Sequence, residues 1–319
     1  MNDAPALPQI TVVIPAYNVA PFIAEALASV QAQTCRDFQA IVIDDGSTDD
    51  TAERIAPFLT DPRFRCIRTE NRGLSAARNR GLHESKTEFV ALLDGDDRYR
   101  PDYLVSMLDR IRSQPHADFV TCDAESFVED SGPRERFSDR YPQDEPITLA
   151  RLLSHEVAVF GLCTLRVASV LAVGGYDESL RAAEDLDLWL RLLGHSYVGG
   201  LVRKILVDYR RRPGSLSDDA VSLNRARARA LDKAASALGE RPEARLAAAG
   251  RDAALAVCDF ERGVDLVLSG ATSSGLHAIR TSGFKRGNRK WTAALALFSL
   301  LPPLARPALT LYRRGNQFA

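Results

Sequence analysis

Acidic residues are concentrated in a short segment, Asp94-Gly95-Asp96-Asp97, that directly follows an apolar run. In an extended backbone, side chains two positions apart point the same way, so Asp94 and Asp96 can act together. Gly95 between them lets the backbone turn tightly. Hard divalent cations such as Mg²⁺ prefer oxygen ligands, often one or two carboxylates together with substrate phosphates. The segment therefore predicts a divalent metal site, for Mn²⁺ or Mg²⁺, although a capped turn would use the same residue types.

Other polar residues follow the first three predicted strands. Pro15 and Tyr17 come after the first, Asp45 after the second, and Arg72 and Arg78 after the third. A tyrosine ring can stack on a flat base, and arginines can bind phosphate oxygens in a bidentate manner. Each residue also has an ordinary structural explanation: packing for Tyr17, a turn or helix cap for Asp45, and solvated charge for the arginines.

The elements that must position these residues alternate between two periods. Short β-branched runs predict strands, and apolar residues three and four apart predict helices. The predicted strands cover residues 10–14, 38–43, 64–68, 89–93 and 119–122, and the helices between them begin at Pro21, Thr48, Leu74 and Pro101. This alternation predicts an α/β fold with a mostly parallel, Rossmann-like sheet flanked by helices. Ligands bind at the carboxyl ends of such strands, where the polar residues lie.

Beyond residue 122 the pattern is less regular. We expect a surface excursion over residues 123–150, a strand over 157–163, a short helix over 167–171 and a pair of strands over 197–207. The composition becomes rich in Ala, Arg and Leu after residue 218, which favours helices. We therefore predict two domains: a catalytic domain over 1–218, and a helical C-terminal region over 219–319 that either contacts a membrane or mediates oligomerisation.

Two adjacent acids, Glu184 and Asp185, begin a predicted amphipathic helix over residues 184–193 that Trp189 and Leu190 would anchor. A positioned carboxylate can act as a general base, but acids in a first helical turn also complement the helix dipole. Neighbouring helical positions point to different faces, so the two acids should have different roles.

Charge and motif content argue against several classes of protein. The chain has 319 residues and a net charge of −1, so it is not a polycation that binds nucleic acid. It contains no Walker A, G-x-G-x-x-G, H-E-x-x-H or G-x-S-x-G sequence. Its five cysteines form no C-x-x-C pair, which argues against a zinc site or a disulfide framework. We find no secretory signal and no apolar run long enough to span a membrane, and we expect a cytoplasmic protein.

The charge is unevenly distributed, because the chain from residue 266 onward has eight basic and no acidic residues. Lys285, Arg286, Arg289 and Lys290 precede an apolar stretch that begins at Trp291. Cationic residues beside an apolar stretch suit the surface of an anionic membrane. A packed C-terminal helix with solvated cations is the alternative, and the sequence leaves both open.

Seven segments together resemble the inverting glycosyltransferases of family 2, which have the GT-A fold. The segments occur in the family's order and span residues 10–217, roughly two thirds of the chain, leaving the C-terminal region outside the resemblance. They are VVIPAYN (12–18), IVIDDGSTDDT (41–51), NRGLSAARNRGL (71–82), FVALLDGDDRYRPDYL (89–104), GGYDESL (174–180), EDLDLWLRL (184–192) and YRRRPGSLS (209–217).

The resemblance implies a nucleotide site that includes Pro15 and Tyr17, with the tyrosine ring stacked on the base. Asp45 would accept a hydrogen bond from the base. Arg78 would steady the Asp45 loop or the diphosphate, and Asp94 would lie near the ribose and the metal.

The resemblance also implies the reacting groups. Asp96 would ligate the Mn²⁺ or Mg²⁺ that bridges the diphosphate, and Asp185 would be the catalytic base, with Glu184 beside it. Arg212 and Ser215 would close over the diphosphate.

The implied function is transfer of one sugar, with inversion, from a nucleoside diphosphate sugar to a saccharide or lipid-linked saccharide. We expect a UDP-sugar donor, a role in cell-surface polysaccharide synthesis and peripheral contact with the inner face of the cell membrane. One alternative is a sugar-1-phosphate nucleotidyltransferase, although its Gly-rich phosphate loop is missing after the first strand. The other is a non-catalytic nucleotide-sugar-binding partner of an assembly complex, which Asp94, Asp96 and Asp185 argue against.

Overall fold

A computed structural model describes residues 8–128, 132–212, 215, 219–284, 297–298 and 301–316. The chain divides into two compact units, Met1–Arg212 and Pro213–Ala319, so the division falls a few residues before the boundary predicted from composition.

The first half of the first unit is a parallel sheet in the order β3-β2-β1-β4. Its apolar strands are almost completely buried, because helices connect each strand to the next and cover the sheet. The elements are β1 (Ile10–Ala16), α1 (Ile23–Gln31), β2 (Phe38–Asp44), α2 (Thr51–Ile55), a 3₁₀ helix (Ala56–Thr60), β3 (Phe64–Arg68), α3 (Leu74–Glu84) and β4 (Phe89–Leu92).

The second half extends this sheet in the order β4-β8-β6-β9-β5, with β7 paired to β6. The elements are β5 (Arg98–Tyr99), α4 (Tyr103–Ser113), β6 (Ala117–Phe127), β7 (Glu135–Arg136), α5 (Phe137–Arg140), α6 (Leu149–Leu153), β8 (Thr164–Arg166), α7 (Val167–Ala172), α8 (Glu184–Gly194) and β9 (Val198–Arg210). β8 is antiparallel to both of its neighbours, and β5 is antiparallel to β9. The sheet is therefore mixed, which the alternation of strands and helices did not predict.

Two sequence predictions in this half are wrong in their element type. Residues 157–163 run as irregular backbone, and the strand follows at β8 instead. Their side chains are apolar and mostly buried, as a strand's would be, but the main chain of Phe160 bonds to the Thr121 hydroxyl rather than to a strand. Residues 198–210 form one long strand rather than a pair, because β9 continues through bulges along β6.

Alternate side chains of β6 hold three segments on one face of the sheet. Phe119 stacks on Trp189 of α8, with ring centroids 4.9 Å apart. Thr121 bonds to the main chain of Phe160, and the carboxylate of Asp123 accepts from the amide and the hydroxyl of Ser138 in α5. Because alternate residues of a strand share a face, α8, the 157–163 segment and α5 lie on the same side of the sheet.

The second unit is helical, with α9 (Ala220–Leu238), α10 (Pro242–Leu268), α11 (Thr272–Thr281) and α12 (Ala305–Asn316). Its core joins α10, α11 and α12 through Phe260, Val264, Ile279 and Leu309. In the part of the chain that the structure describes, none of the helices combines the length and the apolar character needed to cross a membrane.

Candidate active site

Arg78 in α3 is a buried cation that joins three parts of the first unit. Its Nη1 lies 2.6 Å from Oε1 of Glu184, and its Nη2 lies 2.8 Å from Oδ1 of Asp94. Burial alone would lower the pKa of Arg78, but the two carboxylates outweigh it and hold the pKa well above its ordinary value. Burial also raises the pKa of Glu184, and Arg78 offsets part of that effect. The ion pairs fix the start of α8 against the end of β4.

Small residues bring α3 close enough to the sheet for this contact. A Cβ atom on Gly81 would lie 2.2 Å from Cγ1 of Val13 in β1, so only glycine fits there without movement. The turn into α3 is held by Asp45, whose carboxylate accepts from the amides of Arg72 and Gly73 at 3.1 and 2.8 Å. Asp45 is only 3% exposed. The structure thus shows a capping role for Asp45, and its contact with a base stays a prediction.

The loops after β1 and β2 are joined by hydrogen bonds. The amide of Thr48 donates to Oδ1 of Asn18 at 2.8 Å, and the Ser47 hydroxyl accepts from the amide of Asn18. These bonds bring Tyr17 into the same region as the Asp45 loop. Tyr17 is 48% exposed, so its ring is available to a ligand.

Pro15 is buried at the end of β1 and contributes its main chain to the site. A Cβ atom on Gly95 would lie 3.1 Å from the carbonyl oxygen of Pro15. Glycine therefore lets the acidic segment approach β1 closely. The carbonyl group of Pro15 thus lies against the backbone of the acidic segment. Contact between Pro15 and a nucleotide stays a prediction.

The three carboxylates of the acidic segment have different surroundings. Asp94 and Asp96 keep 27% and 19% of their side chains exposed, and Oδ2 of Asp96 lies 2.7 Å from Nε of Arg212. Asp97 is buried, and its Oδ1 accepts from the amide of Arg210 at 2.7 Å. Burial, together with Asp96 and Asp94, raises the pKa of Asp97 well above its ordinary value. Asp97 therefore fixes the end of β9, while Asp94 and Asp96 reach solvent.

The acids of this segment fit a metal ion that is also held by substrate. Within the described residues, Asp, Glu, His and Cys side chains form no cluster of three that could enclose a metal. Mg²⁺ commonly binds proteins through only one or two carboxylates and takes its other ligands from phosphates and water. Two adjacent, partly exposed carboxylates, Asp94 and Asp96, match that ligand set.

Asp185 points away from Glu184, as their adjacent helical positions require. Its Oδ1 accepts from the amide of Leu186 at 2.7 Å. A Cβ atom placed on Gly161 would lie 3.1 Å from its Oδ2. Asp185 is half-buried, whereas Glu184 is buried against Arg78. Glu184 is thus a structural partner of Arg78. Asp185 places a carboxylate oxygen beside the backbone of Gly161, which carries no side chain.

The remaining residues that the sequence predicted for the site are Arg212, Ser215 and Arg72. Arg212 lies beside Asp96, as described, and Ser215 is half-buried. Arg72 pairs with Glu178 at 2.7 Å and is mostly exposed. The sequence analysis did not identify Gly161 as a residue that lies beside Asp185. An isolated glycine within an apolar run can indicate such a close backbone approach.

Comparisons with known proteins show the family and the fold of the chain. The model of the family described as Glycosyl transferase family 2 matches residues 11–171, half of the chain. An uncharacterized glycosyltransferase of Bacillus subtilis, EpsJ, is 28% identical over 223 residues, covering 66% of this chain and 64% of EpsJ. The chain spans between 32% and 60% of the length of several other curated relatives.

Two solved structures share the architecture. TarS of S. aureus in complex with UDP-GlcNAc has a TM-score of 0.63 and 20% identity, covering 85% of this chain and 81% of that one. The mannosyltransferase PcManGT of Pyrobaculum calidifontis, in complex with GDP-Man and Mn²⁺, has a TM-score of 0.59 and 20% identity, covering 98% and 90%. At this identity the likeness concerns the fold, and it confirms the predicted GT-A class.

Replacing Arg78 by Met should cost about 3–5 kcal/mol of unfolding free energy, because Glu184 would remain buried without its partner. The loss also raises the folded-state pKa of Glu184 further above its unfolded value. A group with a raised folded pKa contributes stability that is complete at low pH and is lost as the pH rises through that pKa. The deficit should therefore be largest near neutral pH and shrink in acid, as measured by urea denaturation at several pH values.

Arg72→Met is the matched control, because its ion pair with Glu178 is largely exposed. Exposed pairs contribute about 0–1 kcal/mol. Equal stability of the two variants, or an Arg78→Met deficit that grows in acid, would contradict the role given to Arg78.

Proposed function

Because the chain belongs to glycosyl transferase family 2, we propose that it transfers a sugar from a nucleoside diphosphate sugar to a hydroxyl group of a saccharide or lipid-linked saccharide, with inversion at the anomeric carbon. The observation that carries this proposal is that Arg78 forms two ion pairs, one with Asp94 and one with Glu184. They hold the acidic segment after β4 and the start of α8 together, so diphosphate chemistry and a candidate base share one crevice.

The donor would lie along the carboxyl ends of β1, β2 and β4. Tyr17 supplies an exposed ring for the base, and a UDP-sugar is the donor we favour. Asp94 and Asp96 would hold a divalent cation, which when bound offsets the negative charge that develops on the departing diphosphate. Arg212 already lies at Asp96, so it can contribute a second positive charge beside the diphosphate.

Asp185 would accept the proton of the acceptor hydroxyl. In a single displacement, the acceptor oxygen forms a bond to the anomeric carbon while the bond from that carbon to the diphosphate oxygen breaks. The diphosphate leaves with the electron pair, and Oδ2 of Asp185 takes the proton. The absence of a side chain at Gly161 lets the Asp185 carboxylate lie close to the backbone there, which helps to fix its direction.

Asp185→Asn should lower kcat by about 10²–10⁴-fold, because a positioned base typically contributes that much. Donor affinity should change little, since Asn keeps the shape and the bond to Leu186. Turnover and calorimetric donor titration would be measured with a panel of nucleotide sugars that starts with UDP-GlcNAc and GDP-mannose.

Glu184→Gln gives the contrasting result. It weakens the ion pair with Arg78, so its main effect should be on stability. Normal turnover by Asp185→Asn, or a loss of donor binding as large as its loss of rate, would exclude Asp185 as the base. Donor binding without any turnover by the unaltered chain would favour the non-catalytic alternative.

Asp96→Ala should abolish turnover that depends on Mn²⁺ or Mg²⁺ while leaving the fold intact, because it removes one of the two exposed carboxylates. Binding of Mn²⁺ in the presence of UDP, followed by electron paramagnetic resonance, should be lost in the same variant. Full turnover of the unaltered protein in excess EDTA would contradict a metal-dependent reaction.

We also propose that the second unit contacts an anionic membrane surface. Leu304, which ends a 3₁₀ turn directly before α12, and Leu311 of α12 are 46% and 69% exposed. Arg306 of α12 is also exposed. Arg313, in contrast, pairs with Asp265 at 2.6 Å, so part of the basic charge is neutralised within the unit. Lys285, Arg286, Arg289, Lys290 and Trp291 lie outside the described residues.

Replacing both Leu304 and Leu311 by Ser should weaken binding to phosphatidylglycerol vesicles by about tenfold or more, because two apolar side chains no longer enter the lipid interface. Added salt should weaken binding of the unaltered protein. Leu255→Ser is the matched control, since Leu255 is an exposed leucine of α10. Equal sedimentation with vesicles for all three proteins would refute the proposal.

A further inference from the structure

Four aromatic side chains form a continuous series of ring contacts beside the candidate base. The ring centroids of Tyr141 and Phe137 are 4.9 Å apart, those of Phe137 and Phe160 are 5.2 Å apart, and those of Phe160 and Tyr209 are 5.9 Å apart. We call these four residues the aromatic shelf. Neither the fold comparison nor the proposed chemistry assigns a role to them.

The aromatic shelf lies on the face of the sheet that also carries α8. Thr121 and Asp123 of β6 hold Phe160 and α5 there, two positions apart, and Phe119 holds α8 through Trp189. Phe160 directly precedes Gly161, on which a Cβ atom would lie 3.1 Å from Oδ2 of Asp185. The inner part of the shelf is therefore next to the oxygen that would accept a proton.

At the other end of the shelf, the main chain of Tyr209 leads directly into a residue that bonds to the acidic segment. Tyr209 directly precedes Arg210, whose amide donates to Asp97 and whose Nε donates to the carbonyl oxygen of Asp96. Through its chain neighbours Gly161 and Arg210, the shelf is thus connected both to the segment beside the proposed base and to the acidic segment of the proposed diphosphate site.

Exposure changes along the aromatic shelf from its inner to its outer end. Phe160 is buried, Phe137 is half-buried and Tyr141 is 45% exposed. The outer end is nevertheless held firmly. Ser138 bonds to Asp123, and the amide of Ala158 donates to the carbonyl oxygen of Pro142 at 2.6 Å. A fixed aromatic surface that faces solvent is preorganised to bind a ligand without the cost of ordering a loop.

Hexopyranose rings have apolar C–H faces surrounded by hydroxyl groups, and an aromatic ring offers a broad apolar face with a negative potential that suits such C–H groups. Arg140, whose Cζ lies over the ring of Tyr141 at 5.7 Å from its centroid, adds donors for hydroxyl oxygens. We propose that Tyr141 and Phe137 form an acceptor subsite that stacks on a pyranose ring, so that the acceptor is a saccharide. This inference rests on the proposed glycosyl transfer and names the part of the site that takes the acceptor.

The test is direct binding of sugars to the full chain by saturation-transfer difference NMR. The probes are the methyl and octyl glycosides of glucose, galactose, mannose and N-acetylglucosamine. For at least one sugar, the ring C–H protons should receive saturation from the unaltered protein. Tyr141→Ala should weaken that binding about threefold to tenfold, the range expected for loss of one aromatic contact. Tyr141→Phe should bind like the unaltered protein, because it keeps the ring.

Tyr197→Ala is the matched control, since Tyr197 precedes β9 at the end opposite to Tyr209 and should leave binding unchanged. A tighter octyl glycoside supports the proposal with a lipid-linked saccharide, and equal affinities support it with a free one. Unchanged binding by Tyr141→Ala, an equal loss in Tyr141→Phe, or no saturation transfer to any probe would overturn it. Donor hydrolysis without an acceptor, measured on the unaltered protein, tests the proposed function separately.

Discussion

A buried guanidinium must be neutralised, and the site is organised around the two carboxylates that neutralise Arg78. Burying an unpaired charge costs several kcal/mol, so α3, the end of β4 and the start of α8 are stable only when they meet. The close approach of Gly81 to β1 fixes where Arg78 lies. The ion pair with Arg78 fixes the orientation of Glu184 and therefore of the first turn of α8. The side chain of the next residue, Asp185, is then directed towards Gly161. One electrostatic requirement therefore determines the position of a group that would do chemistry.

The same division between buried and exposed acids occurs in the acidic segment and at the start of α8. Asp97 is buried and bonded to β9, while Asp94 and Asp96 beside it reach solvent. Glu184 is buried, while Asp185 is half-exposed. The buried carboxylate, Asp97 or Glu184, fixes the backbone through its bond to the protein. The more exposed carboxylates are attached to that same stretch of backbone. Loss of the buried member should displace the exposed one, so the effects of substitutions within each pair are not additive.

The sequence predicted the fold class and most of the first half of the sheet, because short β-branched runs and helical spacing are local signals. β3 and α3 lie where the pattern placed them. It did not predict β8, because its antiparallel pairing depends on contacts with β4 and β6 that are distant in the chain. Candidate site residues were recognisable by type and by their place after strands. Their partners were not, since the pairing of Arg78 with Glu184 joins residues 106 positions apart.

That separation also has a consequence for how the chain is made. A ribosome completes β1 to β4 long before it adds residues 164–184, which supply both the second neighbour of β4 and the more deeply buried of the two carboxylates that pair with Arg78. Until then the four-residue apolar strand β4 is an open sheet edge, and such edges pair readily with other chains. The guanidinium meanwhile keeps its hydration and opposes close docking of α3. Nascent chains and fragments that end before residue 164 thus have two reasons to remain incompletely folded, and both are removed by the same later stretch of sequence.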